Sequence, residues 1–354
     1  MNPMFWKDKR VFLTGHTGFK GAWMSLWLTT LGAKVTGFAL PPHTQPSLYE
    51  DIKQDIEMDS IMGDICRLNE VQAALERSGA EIVIHMAAQA LVRDSYSNPV
   101  YTYNTNVMGT VNVLEASRKA GGLDQSVLVV TTDKCYENNE WVWGYRECEP
   151  MGGHDPYSSS KGCAELVASA YCRSYDMNIA TARAGNVIGG GDWSKDRLMP
   201  DIFRAMLSGQ KMELRNPGAV RPWQHVLDCL NGYLTLLEAL HERKQAVAES
   251  FNFGPYDSDA RTVSWVLERF ASHMGTPAIY EKQAGEHPHE AHYLKLDISK
   301  AMTMLKWRPV LDVEKAIKMT ACWFRDMQKG EKISEICRAQ IQDFMDIANK
   351  VPLA

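Results

Sequence analysis

The chain has 354 residues, 45% of them hydrophobic and 23% charged, with a formal net charge of −5. That length exceeds one small core and suits a large α/β domain with a second, smaller lobe. A net negative chain without a Lys/Arg stripe is not a non-specific nucleic-acid binder, and apolar runs of strand length exclude a transmembrane span. The opening MNPMFWKDKR lacks the apolar segment of a secretory signal, and the eight cysteines include no CxxC pair. Both features predict a cytoplasmic protein with reduced thiols.

In chain order, RVFLTG (10–15) reads as a strand. GAWMSLWLTTLG (21–32) carries apolar residues at helical spacing and stops at glycine. KVTGFAL (34–40) is strand-like, EVQAALERSG (70–79) helical, and EIVIHMAA (81–88) strand-like again. YNTNVMGTVNVLEASRKAG (103–121) predicts a long helix and SVLVVTT (126–132) another strand. Strict alternation predicts an α/β fold with a Rossmann-like doubly wound parallel sheet, which collects ligand sites at the carboxyl ends of its strands. After residue 189 the pattern loosens. GGGDWSKDRLMP (189–200) is glycine-rich and polar, and predicts a loop or hinge. A helical run at 226–240 and a strand at 250–254 predict a return to the main sheet. The expected organisation is a dinucleotide-binding domain over 1–189, joined by 224–256. A smaller α/β substrate-binding lobe would take 190–223 and 257–354.

LTGHTGFKG places Gly15, Gly18 and Gly21 between the first strand and the first helix, with Thr17 and Phe19 among them. Glycines allow a tight turn and close approach of a phosphate, and the helix N-terminus offers free N–H groups to a pyrophosphate. Asp64 and Ile65, after Gly63, would end the third strand where adenine could be held. Ala87, Ala88 and Gln89 would end the fourth, where small residues let a dinucleotide pass. The fifth strand breaks off into Thr131-Thr132-Asp133-Lys134, a hydroxyl, a carboxylate and an ammonium side by side. Tyr157 and Lys161, four residues apart, share one helix face.

In this order, TGxxGxxG, HMAAQ, TTDK and YSSSK resemble the extended short-chain dehydrogenase/reductase family. Tyr157 and Lys161 match its Tyr-x-x-x-Lys motif. The resemblance implies that Tyr157 is the base, that Lys161 holds the nicotinamide ribose and, with the nicotinamide cation, lowers the phenol pKa, and that Thr132 bonds the reacting sugar oxygen. Asn106 matches a helix asparagine that largely supports the site, and the resemblance implies that it lies among the cofactor residues. Within the family, TTDKCYEN, RAGNVIGGGDW (183–193), RLMPD (197–201) and RPWQHVLD (221–228) are most similar to nucleotide-sugar 4,6-dehydratases, in the branch acting on CDP-glucose. That likeness implies NAD as a tightly held cofactor and a closed redox cycle. Asp133 would be the acid for the departing C6 hydroxyl. Lys134, where related enzymes have glutamate, would be the C5 base or would stabilise the enolate. Asn186, Arg197 and Arg221 would bind the sugar nucleotide. The resemblance further implies a homodimer or homotetramer, with no nucleic-acid or membrane partner. A nucleotide-sugar 4-epimerase is the alternative; it would keep Tyr157 and Lys161 but has no use for the Asp133-Lys134 pair. EHPHEAH, with His287, His289 and His292, lacks the spacing of a zinc helix and predicts no metal site. The end of the second strand, GFALPPHT, carries no acid, so its residues leave NAD and NADP both open.

Overall fold

The computed structural model describes residues 1–282 and 293–350, the side chain of Leu123 apart. The histidine-rich stretch 286–292 lies outside the described residues. Six strands run β1 (Arg10–Thr14), β2 (Lys34–Ala39), β3 (Asp59–Met62), β4 (Ile82–His85), β5 (Ser126–Val130) and β6 (Asn178–Ala184). Then come β7 (Asn186–Ile188), β8 (Met212–Leu214), β9 (Val220–His225), β10 (Ser250–Phe253), β11 (Ala260–Thr262) and β12 (Tyr280–Lys282). The main sheet has seven parallel strands in the order β10-β6-β5-β4-β1-β2-β3. Strand order reverses between β1 and β4, which is where such a sheet opens a crevice.

The near-continuous apolar strands follow from burial on both faces. On one face Trp23, Leu26 and Trp27 of the helix Phe19–Thr30 pack with Leu230, Tyr233 and Leu237 of the helix Val226–Arg243. On the other, Phe12 and Phe38 meet Val71, Leu75, Val113 and Leu114 from the helices Leu68–Ser78 and Gly109–Ala120. No helix among the described residues is long and apolar enough to cross a membrane.

Two departures from the sequence expectation bear on function. The helix expected over 103–121 is not uniform, because Asn104–Met108 forms a π-helical turn between the short helix Pro99–Tyr103 and the helix Gly109–Ala120. Such turns re-aim side chains, often at functional sites. The glycine-rich stretch after 189 is irregular but is no exposed hinge, since residues 189–194 are all buried. At Gly190 a Cβ would lie 1.9 Å from Cγ of Trp323, and its carbonyl accepts from Trp23 Nε1 at 2.9 Å. Glycine permits this backbone to sit against an indole, which a polar reading of the segment misses.

Beyond β6 the chain leaves the main sheet. Gly185 separates β6 from β7, which joins the three-stranded sheet β11-β9-β7, while β8 and β12 pair in parallel. β9 then feeds the helix Val226–Arg243, and β10 returns beside β6.

Candidate active site

A cleft of about 850 Å³ opens at the carboxyl ends of the main strands and is lined across from them by β8, β9 and the start of the helix Leu198–Ser208. Its size is that of a ligand site for a small molecule or cofactor.

The glycine turn forms one wall. Gly15 has φ +78°, and a Cβ there would meet Ala87 N at 2.7 Å, so only glycine lets β1 and β4 turn side by side. A Cβ on Gly21 would strike the Gly15 carbonyl at 2.0 Å, which brings the helix Phe19–Thr30 close against the turn. Gly18 caps that helix, and a Cβ on it would meet nothing nearer than the Gly15 carbonyl at 3.5 Å. It would stand in the cleft, in front of the first free N–H groups of the helix. This cradle fits a pyrophosphate. Thr17, Phe19, Asp64, Ile65, Ala87, Ala88 and Gln89 line the same side.

The acid-bearing turn sits deeper. Thr131 N bonds Ala182 O at 2.9 Å, and Asp133–Cys135 then forms one 3-10 turn capped by Thr132, whose Oγ1 accepts from Lys134 N at 3.3 Å and donates to Asp133 Oδ1 at 3.0 Å. Asp133 is buried, and a Cβ on Gly185 would approach its Oδ2 to 2.8 Å; the missing side chain leaves the carboxyl its room. Burial raises the Asp133 carboxyl above the ordinary range, against the opposing influence of Lys134, Thr132 and Arg221.

Tyr157 and Lys161 lie one turn apart on the helix Pro156–Tyr175, which starts on an Asp155 cap. Both are buried against the cleft. Burial pushes the Tyr157 phenol up to about 12, with Arg197 and a hydrogen bond with Thr132 acting the other way. Arg197 is thus a cation that favours the phenolate in this cleft. Lys161 instead donates to Val130 O at 3.1 Å, and burial followed by the charge of Lys20 lowers it to about 8.

Beneath the turn lies a buried ion pair. Glu165 accepts from Arg183 Nη2 and Thr181 Oγ1, each at 2.7 Å, and from Thr131 Oγ1. Burial would raise its carboxyl, but Arg183 and the two hydroxyls hold it below its ordinary value. Arg183 Nη1 donates to Tyr136 OH at 2.7 Å, so the pair grips the TTDK segment at both ends.

Of the residues singled out from sequence, Thr132, Asp133, Lys134, Tyr157, Lys161, Asn186, Arg197 and Arg221 all line this one cleft. Asn106 does not. It is buried in the π-helical turn, where its amide donates to Gln89 O at 3.0 Å and Ser160 Oγ at 2.9 Å and its carbonyl accepts from Gln89 N at 2.9 Å. It fixes Gln89 and the Tyr157 helix from behind. Sequence inspection passed over Lys20, Arg93, Tyr96, Asp192, Arg215 and Asn216, which also line the cleft. Lys20 lies inside the glycine motif and could have been noticed as a cation in the first turn of a helix. The others carry no local signal, since the fold brings them in from separate segments.

A doubly wound sheet with a glycine turn at its switch point and a Tyr-x-x-x-Lys helix beside it defines a dinucleotide-binding protein of the extended short-chain dehydrogenase/reductase class. Within that class the chain belongs to the family described as GDP-mannose 4,6 dehydratase, whose pattern it matches over residues 12–320. It is 47% identical to the CDP-glucose 4,6-dehydratase of Salmonella typhimurium, over 98% of this chain and 99% of that one. The dTDP-glucose 4,6-dehydratase of Streptomyces griseus is 28% identical over 74% of this chain and 76% of its own. Among solved structures, the dTDP-glucose 4,6-dehydratase DesIV of Streptomyces venezuelae, determined with NAD, has a TM-score of 0.79 at 23% identity, covering 92% of this chain and 99% of that one. A UDP-glucose 4-epimerase of Thermotoga maritima also has a TM-score of 0.79, at 22% identity over 90% and 99%. The architecture is thus shared by dehydratases and epimerases, and the distinction falls to the site.

Proposed function

We propose that this protein is a CDP-glucose 4,6-dehydratase that converts CDP-D-glucose to CDP-4-dehydro-6-deoxy-D-glucose and water. The observation that carries the reading is the buried Asp133 carboxyl, with a raised proton affinity, at the reacting end of a cleft that also holds Tyr157 and Lys161. An epimerase has no use for that acid. Near-complete alignment with a CDP-glucose enzyme at 47% identity supports the choice of nucleotide.

The open face of Gly18 and the free N–H groups behind it suit the pyrophosphate of NAD, with Asp64 and Ile65 toward adenine and Lys161 toward the nicotinamide ribose. NAD, when bound there, would supply a hydride acceptor for sugar C4 and the hydride returned to C6. The remaining steps belong to the chain. Tyr157 takes the proton of the C4 hydroxyl while Thr132 orients that oxygen. Arg197 eases the charge on the phenolate, offsetting the penalty of its burial. Once C4 is a ketone, the C5 proton is acidic, and Lys134 removes it or stabilises the enolate formed. Asp133 gives its proton to the C6 oxygen, which leaves as water. A proton returned to C5 completes the 4-keto-6-deoxy sugar. Arg221 would hold the diphosphate by paired N–H donors and Asn186 the sugar.

On this reading residues 1–189 with 224–256 serve the dinucleotide, and 190–223 with 257–354 serve mainly the sugar nucleotide. We place the reaction in the cytoplasm, in deoxysugar precursor synthesis, by a homodimer or homotetramer. Val100, Met108, Leu166 and Tyr175, exposed on the neighbouring helical segments between 99 and 175, would supply an apolar face for a second copy.

The test is incubation of the purified protein with CDP-glucose and no added cofactor, followed by NMR of the product. Formation of the 4-keto-6-deoxy sugar without net consumption of NAD is expected, with UDP-, dTDP- and GDP-glucose converted more slowly. CDP-galactose as the sole product would establish an epimerase instead.

A further inference from the structure

The ion pair of Glu165 and Arg183 is sealed in the interior, with side chains 3% and 4% exposed. Taking two charges out of water costs more than their attraction returns unless further hydrogen bonds are made, so such a pair is a poor device for stability alone. Here the further bonds run to the TTDK segment. Glu165 accepts from Thr131 Oγ1, directly before Thr132. Arg183 Nη1 donates to Tyr136 OH at 2.7 Å, and its guanidinium carbon stands 4.8 Å from the centroid of that ring. Tyr136 OH donates in turn to Asn252 Oδ1 at 2.8 Å. Thr131 and Tyr136 flank Thr132 and the 3-10 turn Asp133–Cys135. One buried network therefore holds the acid-bearing turn at both ends.

We propose that Thr131, Glu165, Arg183 and Tyr136 are positioning residues for the elimination half of the reaction. They hold the Asp133 turn in register with the Tyr157 helix, so that the acid meets C6 of a sugar whose C4 oxygen lies at the base. The inference rests on the dehydratase reading, which places Asp133 and Tyr157 at the chemistry.

The network joins the elements that carry the two reacting groups. Tyr157, Lys161 and Glu165 follow one another at intervals of four on the helix Pro156–Tyr175 and share one face. Glu165 thus ties the helix of the base to the start of the acid turn. Arg183 lies on β6, two residues before Gly185, whose missing side chain gives the Asp133 carboxyl its room. The same stretch of chain makes space for the acid and grips the residue that follows its turn. The Tyr157 helix has anchors of its own: Asp155 Oδ1 accepts from Ser158 N at 2.9 Å, and Ser160 Oγ from Asn106 Nδ2 at 2.9 Å. Besides the Thr132 cap, backbone bonds from Thr131 N to Ala182 O at 2.9 Å and from Gly152 N to Cys135 O at 2.8 Å guide the acid turn. These set the path of the chain, and the side-chain network sets its distance from the helix. Loosening the network displaces the acid while the base stays on its anchors, so elimination suffers before oxidation does.

The experiment compares Thr131→Val, Thr131→Ser and Tyr136→Phe with wild type, each checked for fold by circular dichroism and for its thermal midpoint. A single turnover of the loaded enzyme with CDP-glucose is followed by the absorbance of reduced nicotinamide, which rises with oxidation at C4 and decays as hydride returns to C6. In Thr131→Val and Tyr136→Phe the decay should slow by roughly 10–10²-fold, the scale for a group moved off its productive geometry, while the rise stays within about threefold of wild type. Thr131→Ser keeps the hydroxyl and should keep the wild-type decay. Rise and decay slowed by one common factor overturn the inference. So does an unmoved decay in folded variants with a lowered midpoint, which would make the network structural only, and so does a Thr131→Ser variant as slow as Thr131→Val. Tyr136→Phe keeps the test open should Thr131→Val misfold. A wild type that makes the keto-deoxy sugar beside unchanged variants sinks the inference alone. A wild type that makes only CDP-galactose sinks the dehydratase reading and the inference with it.

Discussion

At the residue scale, the division of labour within the cleft can be read from single substitutions. Tyr157→Phe removes one hydroxyl from a buried ring and leaves its packing. Turnover should fall by roughly 10²–10⁴, the scale of a lost acid–base group. Near-normal turnover in a folded variant would take the base role away from Tyr157. Asp133→Asn separates two steps. Oxidation at C4 does not need Asp133, whereas departure of the C6 hydroxyl does. Stopped-flow absorbance should show reduced nicotinamide forming and persisting, with 6-deoxy product slowed by about 3–5 kcal/mol of barrier. Wild-type product formation would refute the assignment, and so would loss of the reduction step with substrate still bound. Side chains in recognisable strings were legible in the sequence, because TTDK, YSSSK and the glycine turn carry their chemistry within a few residues. Lys20 was not, since its partner Tyr233 lies 213 positions away. Asn106 was legible as a position but not as a direction, which the π-helical turn alone sets.

At the element scale, alternation of apolar runs and amphipathic segments was enough to foresee the parallel sheet and the return of β10. It was not enough for the segment after β7. A glycine run looks mobile in isolation, whereas here it is packed under the C-terminal helices. Trp323, on the helix Val313–Gln328, stands at 6.4 Å from the ring of Trp193 and 5.1 Å from that of Phe324, and Gly190 closes against its face. Gly190→Ala should therefore cost about 1–3 kcal/mol, the range for overpacking a filled interior, and lower the thermal midpoint. The same segment leads through Asp192 and Ser194 to Arg197, so KM for the sugar nucleotide should rise as well. Gly330→Asn is the matching control: φ is +84° there, nothing stands within 4 Å, and asparagine tolerates that backbone. If Gly190→Ala melts like that control, the glycine run is not held as the packing requires.

At the scale of the whole molecule, burying both faces of a seven-stranded sheet traps polar side chains that composition does not reveal as buried. His225 is one. It caps the helix Val226–Arg243, accepting from Leu227 N at 3.3 Å through Nδ1, while Nε2 has no partner among the described residues and Trp23 stands edge-on. Burial lowers it from 6.5 to about 3. The folded protein therefore keeps this ring neutral at pH values where the unfolded chain has protonated it. The contribution to stability is complete above pH 6.5 and is lost as pH falls toward the folded value. At pH 5 the loss amounts to about 2 kcal/mol, from one and a half pH units at 1.36 kcal/mol each. Other groups shift as well, among them His85 lowered to about 3 and Asp228 raised to about 7, both by burial and with opposite effects on acid stability. A difference measurement isolates His225 from them. Asparagine is a favoured N-cap and does not titrate, so His225→Asn keeps the cap and deletes the proton site. Unfolding free energies of wild type and variant, measured in denaturant at pH 7.5 and pH 5, should show the variant gaining about 2 kcal/mol on wild type as the pH falls. A difference independent of pH would mean that this ring is protonated in the folded protein, and that the interior around Trp23 admits water or a counter-charge.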